Sequence, residues 1–192
     1  MRIAHKGFSV LCCAALAVFA ASCSIASRDT ATSGPEVNIV AETNRMAQEQ
    51  FALGRFKKSL EIYARAYDTH HHKGLQRGYA KLGEQIRAAA DAAYQRKNYS
   101  EAGSTYRILF ESGITTRDFV HLLTFDDDYL GTQIAACSRS LTETGFLKYR
   151  EDKLEEAIAH WKKVIAFDVN NKDVKSAIDR ATIQLQNLNS LK

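Results

Sequence analysis

The sequence GFLKYREDKLEEAIAHWKKVIAFDVNN, at residues 145–171, decides the fold of this 192-residue chain. From Leu154 to Trp161, apolar side chains recur at spacings that place them on one face of a helix. The charged residues 151–153 interrupt the pattern before this helix, and Gly145 lies in the periodic segment on their other side. The stretch therefore predicts two helices joined by a tight turn.

Two earlier segments repeat this arrangement around their own turns, at Gly54 and at Lys97. In each copy, the second helix carries a small residue that is followed four residues later by a large aromatic residue. The matched positions are Phe56, Tyr99 and Leu154, then Ser59, Ala102 and Ala157, then Tyr63, Tyr106 and Trp161. In the first helices, the matched small residues are Ala47, Ala90 and Gly145, and the matched aromatic residues are Phe51, Tyr94 and Tyr149. A small residue lets paired helices approach closely, and the aromatic residue fills the space beside it.

This pattern resembles the tetratricopeptide repeat. The resemblance implies an all-α fold, an irregular α-solenoid of about three helix pairs, with repeats at about 42–71, 85–113 and 140–171. An amphipathic segment at 172–190 supplies the capping helix that such arrays require. Matched positions are 43 and 55 residues apart, whereas the family's period is about 34, so longer helices or insertions separate the units. In the larger insertion, Asp126 begins an acidic cluster that favours a helix N-terminus.

The N-terminal segment, residues 1–22, has the layout of an export signal, with Arg2 and Lys6 before an apolar run of about 14 residues. The small residues before Cys23 resemble the lipobox of bacterial lipoproteins, which implies lipidation of Cys23. Ser24 follows, and in that family a residue other than Asp implies the outer membrane, with the protein facing the periplasm. A signal peptide cut near Ala21 or an uncleaved anchor are the alternatives. Residues 23–36 are small and polar and predict a flexible tether before a helical domain at 37–192.

Composition excludes several classes of function. The formal net charge is +4, half of it from the leader, and the remaining charges alternate in sign, so no nucleic-acid partner is expected. Cys137 is the one cysteine of the predicted domain, which rules out an internal disulfide there. Its apolar context predicts a small buried side chain rather than a nucleophile.

Catalytic and metal-binding patterns are not apparent. The histidines at 70–72 are adjacent and cannot converge on one ion from a helix, so we interpret them as an inter-helix loop, with a weak metal site as the alternative. Gly74 then suits the C-terminal cap of the preceding helix. An EF-hand beginning at Asp126 fails because Leu130 and Cys137 occupy liganding positions. We expect no enzyme activity, no catalytic residues, no cofactor and no metal.

Tetratricopeptide arrays bind proteins in a groove formed by their first helices, and the resemblance implies the same face here. The candidate partner-binding residues are Asn44, Gln48, Arg87, Asp91, Tyr94, Phe146 and Arg150. The expected function is a non-enzymatic, lipid-anchored cell-envelope scaffold that binds an envelope protein or peptide, for example in outer-membrane or pilus assembly. The alternatives are self-association without a foreign client, or an envelope metal binder or hydrolase.

Overall fold

The computed structural model describes residues 35–191, with side chains from residue 38. The described chain consists of helices, turns and loops without a strand, which confirms the expected all-α fold. The helices are α1 (Pro35–Ala52), α2 (Phe56–His70), α3 (Lys73–Gln95), α4 (Tyr99–Glu111), α5 (Asp127–Arg150), α6 (Leu154–Ile165) and α7 (Lys172–Ser190). Two 3₁₀ turns, Ile114–Thr116 and Val120–Leu122, precede α5. The predicted signal peptide, Cys23 and all but the last two residues of the predicted tether lie outside the described residues.

Consecutive helices pack as pairs, α1 with α2, α3 with α4 and α5 with α6, and α7 packs on α6. Each pair is joined by three residues, one of which has left-handed backbone geometry. These are Gly54, with φ of 70°, Lys97, with φ of 60°, and Asp152, with φ of 57°. All three turns lie where the sequence predicts them, because each separates two periodic apolar patterns.

Two long first helices, and the segment 112–126 that carries the two 3₁₀ turns, explain the irregular spacing of the repeats. α3 has 23 residues and α5 has 24, whereas their partners α4 and α6 have 13 and 12. α5 begins thirteen residues before the expected start of the third repeat at 140. Its N-terminus is capped by Asp126, whose side chain accepts a hydrogen bond from the Tyr129 amide at 2.8 Å, as the acidic cluster predicts.

The junction between α2 and α3 differs from the expectation. The C-terminal cap of α2 is His71, with φ of 46°, and its amide donates to the Tyr67 carbonyl at 2.8 Å. Gly74, predicted for that role, lies instead in the first turn of α3. There its amide donates to Nδ1 of His72, the N-cap residue, at 3.0 Å. A Cβ on Gly74 would lie 2.9 Å from the same nitrogen, so a larger residue there would displace the imidazole.

The matched small and aromatic positions form the centre of each pair. Ser59, Ala102 and Ala157 are all fully buried, and the aromatic residues four positions later are 1% exposed. In the first pair, the Ser59 hydroxyl donates to the Ala47 carbonyl of α1 at 2.7 Å. This contact shows how closely the paired backbones approach, and it confirms the expected packing of a small residue between the helices.

The last helix caps the array over part of its length. Asn171 caps its N-terminus by accepting from the Val174 amide at 3.1 Å, and its first turns bury Val174 and Ala177. Further along, Gln184 accepts a hydrogen bond from Tyr149 of α5 at 2.7 Å. Leu188, near the end of the helix, is 48% exposed.

None of the helices within residues 35–191 has both the length and the apolar content that crossing a bilayer requires.

Candidate functional site

The predicted groove begins on α1, where two of its residues contact neighbouring helices. The Tyr63 hydroxyl of α2 donates to Asn44 Oδ1 at 3.1 Å. The side-chain amide of Gln48 donates to Gln85 Oε1 of α3 at 2.9 Å. Both amides therefore connect α1 to a neighbouring helix, and Asn44 keeps an exposed side chain.

Arg87 on α3 is compensated by carboxylates of its own helix. It pairs with Glu84 at 3.0 Å and with Asp91 one turn further on. Glu84 also accepts from the amide and the hydroxyl of Thr124, at 2.5 and 2.9 Å. Burial opposes ionisation of Glu84, but the hydrogen bonds from Thr124 and Arg87 outweigh it and lower the pKa of this carboxyl. The Arg87 guanidinium is therefore already paired within its own helix and is not an unpaired cation that could bind a partner's carboxylate.

Asp91 joins three helices through one carboxylate. Its Oδ1 accepts from the Tyr106 hydroxyl of α4 at 2.6 Å and from the Tyr129 hydroxyl of α5 at 2.7 Å. Burial, and then the hydrogen bond to Asp91, raises the pKa of both tyrosines. The hydroxyls therefore stay protonated near neutral pH and continue to donate. This arrangement fixes the position of α5 against the second helix pair.

A cavity of about 350 Å³ opens beside this carboxylate, between α3, α4 and α5. Its lining residues are Asp91, Tyr94, Gln95, Tyr106, Tyr129, Gln133 and Ala136. Tyr94 is half-buried and meets the Tyr99 ring edge-on, with centroids 5.4 Å apart. The predicted residues Asp91 and Tyr94 therefore share a surface depression, and Arg87 pairs with the Asp91 carboxylate.

Phe146 and Arg150 lie further along α5. The Phe146 ring packs edge-on against Trp161, with centroids 5.2 Å apart, and remains 44% exposed. Arg150 is exposed in the last turn of the helix. No hydrogen bond or ion pair in the described part of the chain joins either residue to the cavity, and neither residue lines it.

The sequence interpretation missed Tyr129, Gln133 and Gln95. Tyr129 and Gln133 stand four residues apart in α5 and so share a face. The signal was available in the sequence, because the Asp126 cap together with the apolar period leading to Gly145 predicts a helix of this length. Because the third repeat was predicted to begin at 140, Tyr129 and Gln133 were left out of the predicted groove.

Other chemistry-bearing side chains have structural roles. His71 and His72 cap adjacent helix ends, and no group of three or more His, Cys, Asp or Glu residues within 35–191 is arranged to hold a metal ion. Cys137 is fully buried, as predicted, and burial raises the pKa of its thiol to about 12. The thiolate is therefore scarce at neutral pH, and nucleophilic chemistry by Cys137 is disfavoured.

Comparisons of this chain with protein-family models, curated protein sequences and solved structures found no match.

Proposed function

We propose that this chain is a non-enzymatic, lipid-anchored scaffold of the bacterial cell envelope that binds another envelope protein through its first helices. The observation that carries the proposal is the cavity beside Asp91 and Tyr94, formed where α3 and α5 meet over α4. A depression of about 350 Å³ accommodates a side chain or a short peptide segment, and binding residues in such depressions dominate protein interfaces.

The chemistry of the cavity suits an extended peptide. Gln95 and Gln133 have no hydrogen-bond partner among the described residues, so both amides are available to donate and accept. Tyr94 supplies an amphipathic aromatic surface, which interfaces favour. A peptide backbone exposes alternating N–H and C=O groups that match the two amides, and a partner side chain would enter the depression between them.

The same geometry favours binding over catalysis. A general base must reach a reacting proton with a free lone pair and a suitable pKa. Asp91 already accepts from Arg87, Tyr106 and Tyr129. The two tyrosines have raised pKa values, so they are poor acids and poor nucleophiles at neutral pH. These groups position helices and do not form a reactive pair.

Partner binding can be tested with two adjacent alanines of α5. Ala136 lines the cavity, whereas Ala135 is exposed and does not. In an affinity pull-down of the full chain from crosslinked envelopes, we expect Ala136→Trp to remove the captured partner and Ala135→Trp to retain it. Both variants should keep the wild-type circular dichroism spectrum. Equal capture by both variants would contradict the proposed surface.

The lipid anchor has its own test. Its support is the sequence of the leader, in which small residues precede Cys23 and Ser24 follows it. Two or more acyl chains give stable membrane attachment, since each buried methylene contributes about 0.8 kcal/mol. Cys23→Ala should block processing and release the chain from the outer-membrane fraction. Unchanged processing and fractionation would refute the anchor and leave the binding surface as a separate question.

Self-association is a second candidate function, favoured by exposed apolar side chains on α7 and at its C-cap. Ile183 is 58% exposed, Leu188 is 48% exposed and Leu191 is 84% exposed. Exposed apolar surface of this kind often marks an interface. Analytical ultracentrifugation of the chain without residues 1–23 should then show dimers that Ile183→Asp weakens. A monomer over all concentrations would exclude this candidate.

A further inference from the structure

The side chains that line the Asp91 cavity carry negative charge and no positive charge. Of the described residues that form the lining, Asp91 is acidic and none is Lys, Arg or His. Arg96 and Arg139 lie close in sequence to lining residues, but neither lines the cavity. The one aliphatic side chain is that of Ala136, and the remaining walls are tyrosine rings and glutamine amides. The lining therefore disfavours an acidic side chain and offers little contact to a large aliphatic one.

Two carboxylates share one guanidinium beside this cavity. Arg87 pairs with Glu84 at 3.0 Å and with Asp91 one turn further along α3. Burial opposes the ionisation of Glu84, but hydrogen bonds from Thr124 and Arg87 lower its pKa, so Glu84 is charged at neutral pH. One positive charge against two negative charges leaves the group of three with one uncompensated negative charge. The three side chains are between 24% and 30% exposed, so solvent screens this charge less than it screens one on an open surface.

The Asp91 carboxylate has room for one more donor. An ionised carboxylate offers about four acceptor positions. The two tyrosine hydroxyls of Tyr106 and Tyr129 occupy Oδ1, and Arg87 occupies one position on Oδ2. The side chain is 30% exposed and lines the cavity, so a group in the cavity can reach it. Because three donors already fix the carboxylate, it need not reorganise to accept a fourth.

Two further acceptors and two aromatic rings surround this position. The side-chain amides of Gln95 and Gln133 have no hydrogen-bond partner among the described residues, so both oxygens are free to accept. The half-buried rings of Tyr94 and Tyr129 also line the cavity. A guanidinium group is planar, stacks on aromatic rings and presents five N–H donors, whereas an ammonium group is a compact, strongly hydrated point charge. The cavity therefore matches arginine better than lysine.

We propose that the cavity beside Asp91 receives an arginine side chain of the bound partner. Its guanidinium donates to the remaining acceptor position of Asp91 and to the side-chain oxygens of Gln95 and Gln133, and its plane stacks on the Tyr94 ring. The added positive charge offsets the uncompensated negative charge on α3. This inference rests on the proposed function, since it names the side chain that the partner places in the same depression.

The test uses two peptides that differ in charge alone. The probe is a pentapeptide of glycine with a central arginine, blocked at both ends, and its neutral counterpart carries citrulline in place of arginine. Two-dimensional NMR of the full chain in non-ionic detergent micelles would follow the backbone amides around Gln95 and Ala136 during titration. We expect saturable shifts with the arginine peptide and roughly tenfold weaker binding of the citrulline peptide, because citrulline has a similar shape without the charge.

A pair of charge variants locates the site. Gln133→Glu and Gln133→Lys place opposite charges at the same point of the lining, and both residues favour a helix. We expect Gln133→Glu to strengthen binding of the arginine peptide about two- to fivefold and Gln133→Lys to weaken it by about the same factor or more. The control is Lys175→Glu on the exposed face of α7, which should leave the affinity unchanged. Changes in the same direction from both Gln133 variants would overturn the inference.

The peptides also separate this inference from the proposed function. Equal affinity for the two peptides at the cavity, or no saturable shift with the arginine peptide, would overturn the arginine inference. The proposed function is decided independently by the pull-down with Ala136→Trp and Ala135→Trp. A partner that Ala136→Trp fails to capture would keep the binding face even if arginine and citrulline bound equally.

Discussion

The indole ring of Trp161 occupies the space where any side chain at Gly145 would be. A Cβ built on Gly145 would overlap the pyrrole edge of the indole, and the indole N–H donates to the Thr142 carbonyl of α5 at 3.2 Å. The glycine therefore allows α5 and α6 to approach, and the indole then satisfies its polar edge on the neighbouring backbone. This relationship holds the third helix pair together.

Adding one methyl group at Gly145 should destabilise the protein. Gly145→Ala forces the indole or the helix to move, and overpacking of this kind costs about 1–3 kcal/mol. The matched control is Gly131→Ala in the same helix, where no atom lies within 4 Å of the new Cβ. The control should stabilise α5 by roughly 0.5–1 kcal/mol, because alanine favours a helix more than glycine does. Urea denaturation of both variants measures the difference, and equal effects would contradict the packing.

The first pair should tolerate only a small residue at position 59. Ser59→Ala removes the hydrogen bond to the Ala47 carbonyl and should cost about 0.5–1.5 kcal/mol. Alanine is the residue at the equivalent positions 102 and 157, so the helices should still pair. Ser59→Leu should cost considerably more, because the site is fully buried against α1. Thermal unfolding distinguishes the two variants, and a similar loss for both would argue against close packing.

The Asp91 carboxylate should contribute to stability through its three hydrogen-bond donors. Asp91→Asn leaves one of the two tyrosine hydroxyls or the guanidinium without a suitable acceptor and should cost about 1–3 kcal/mol. Tyr129→Phe removes a single donor and should cost about 0.5–1.5 kcal/mol. The double variant should lose less than the sum of the two, since the groups share one network. Strict additivity in denaturation experiments would show that the contact is not energetically coupled.

Mild acid should destabilise the protein through His160. Burial, followed by the charges of Lys163 and Lys148, lowers the pKa of His160 in the folded state. The unfolded chain then binds more protons than the folded chain as the pH falls through the ordinary histidine value of about 6.5. The stability that the uncharged His160 contributes is therefore present above a pH of about 6.5 and is lost below it. His160→Gln should reduce the loss of melting temperature between about pH 7.5 and pH 5.5, and an unchanged pH dependence would exclude His160 as a cause.

Much of the fold follows from short-range patterns. The apolar period and the charged or glycine-containing interruptions locate the turns at Gly54, Lys97 and Asp152. The small-to-aromatic spacing identifies the buried small residues Ser59, Ala102 and Ala157 in the second helices. These features depend on residues within one helix or one turn, so a single sequence contains them.

The site was less predictable because it depends on contacts between distant residues. Glu84 accepts from Thr124, forty positions away, and Asp91 accepts from Tyr129, thirty-eight positions away. Helical spacing predicts that Arg87 can pair with Asp91, but it does not reveal which carboxylates remain free. The cap at His71 was missed for another reason, since a left-handed residue other than glycine or asparagine is uncommon.

The central claim, that a partner occupies the cavity beside Asp91, is tested most directly by site-specific photo-crosslinking in intact cells. A photo-reactive amino acid would replace Gln133 in the cavity and, as the matched control, Lys175 on the exposed face of α7. We expect a discrete adduct with one envelope protein from position 133, lost when Ala136→Trp is added, and no such adduct from position 175. The same adducts from both positions, or none from position 133, would contradict the proposed binding face.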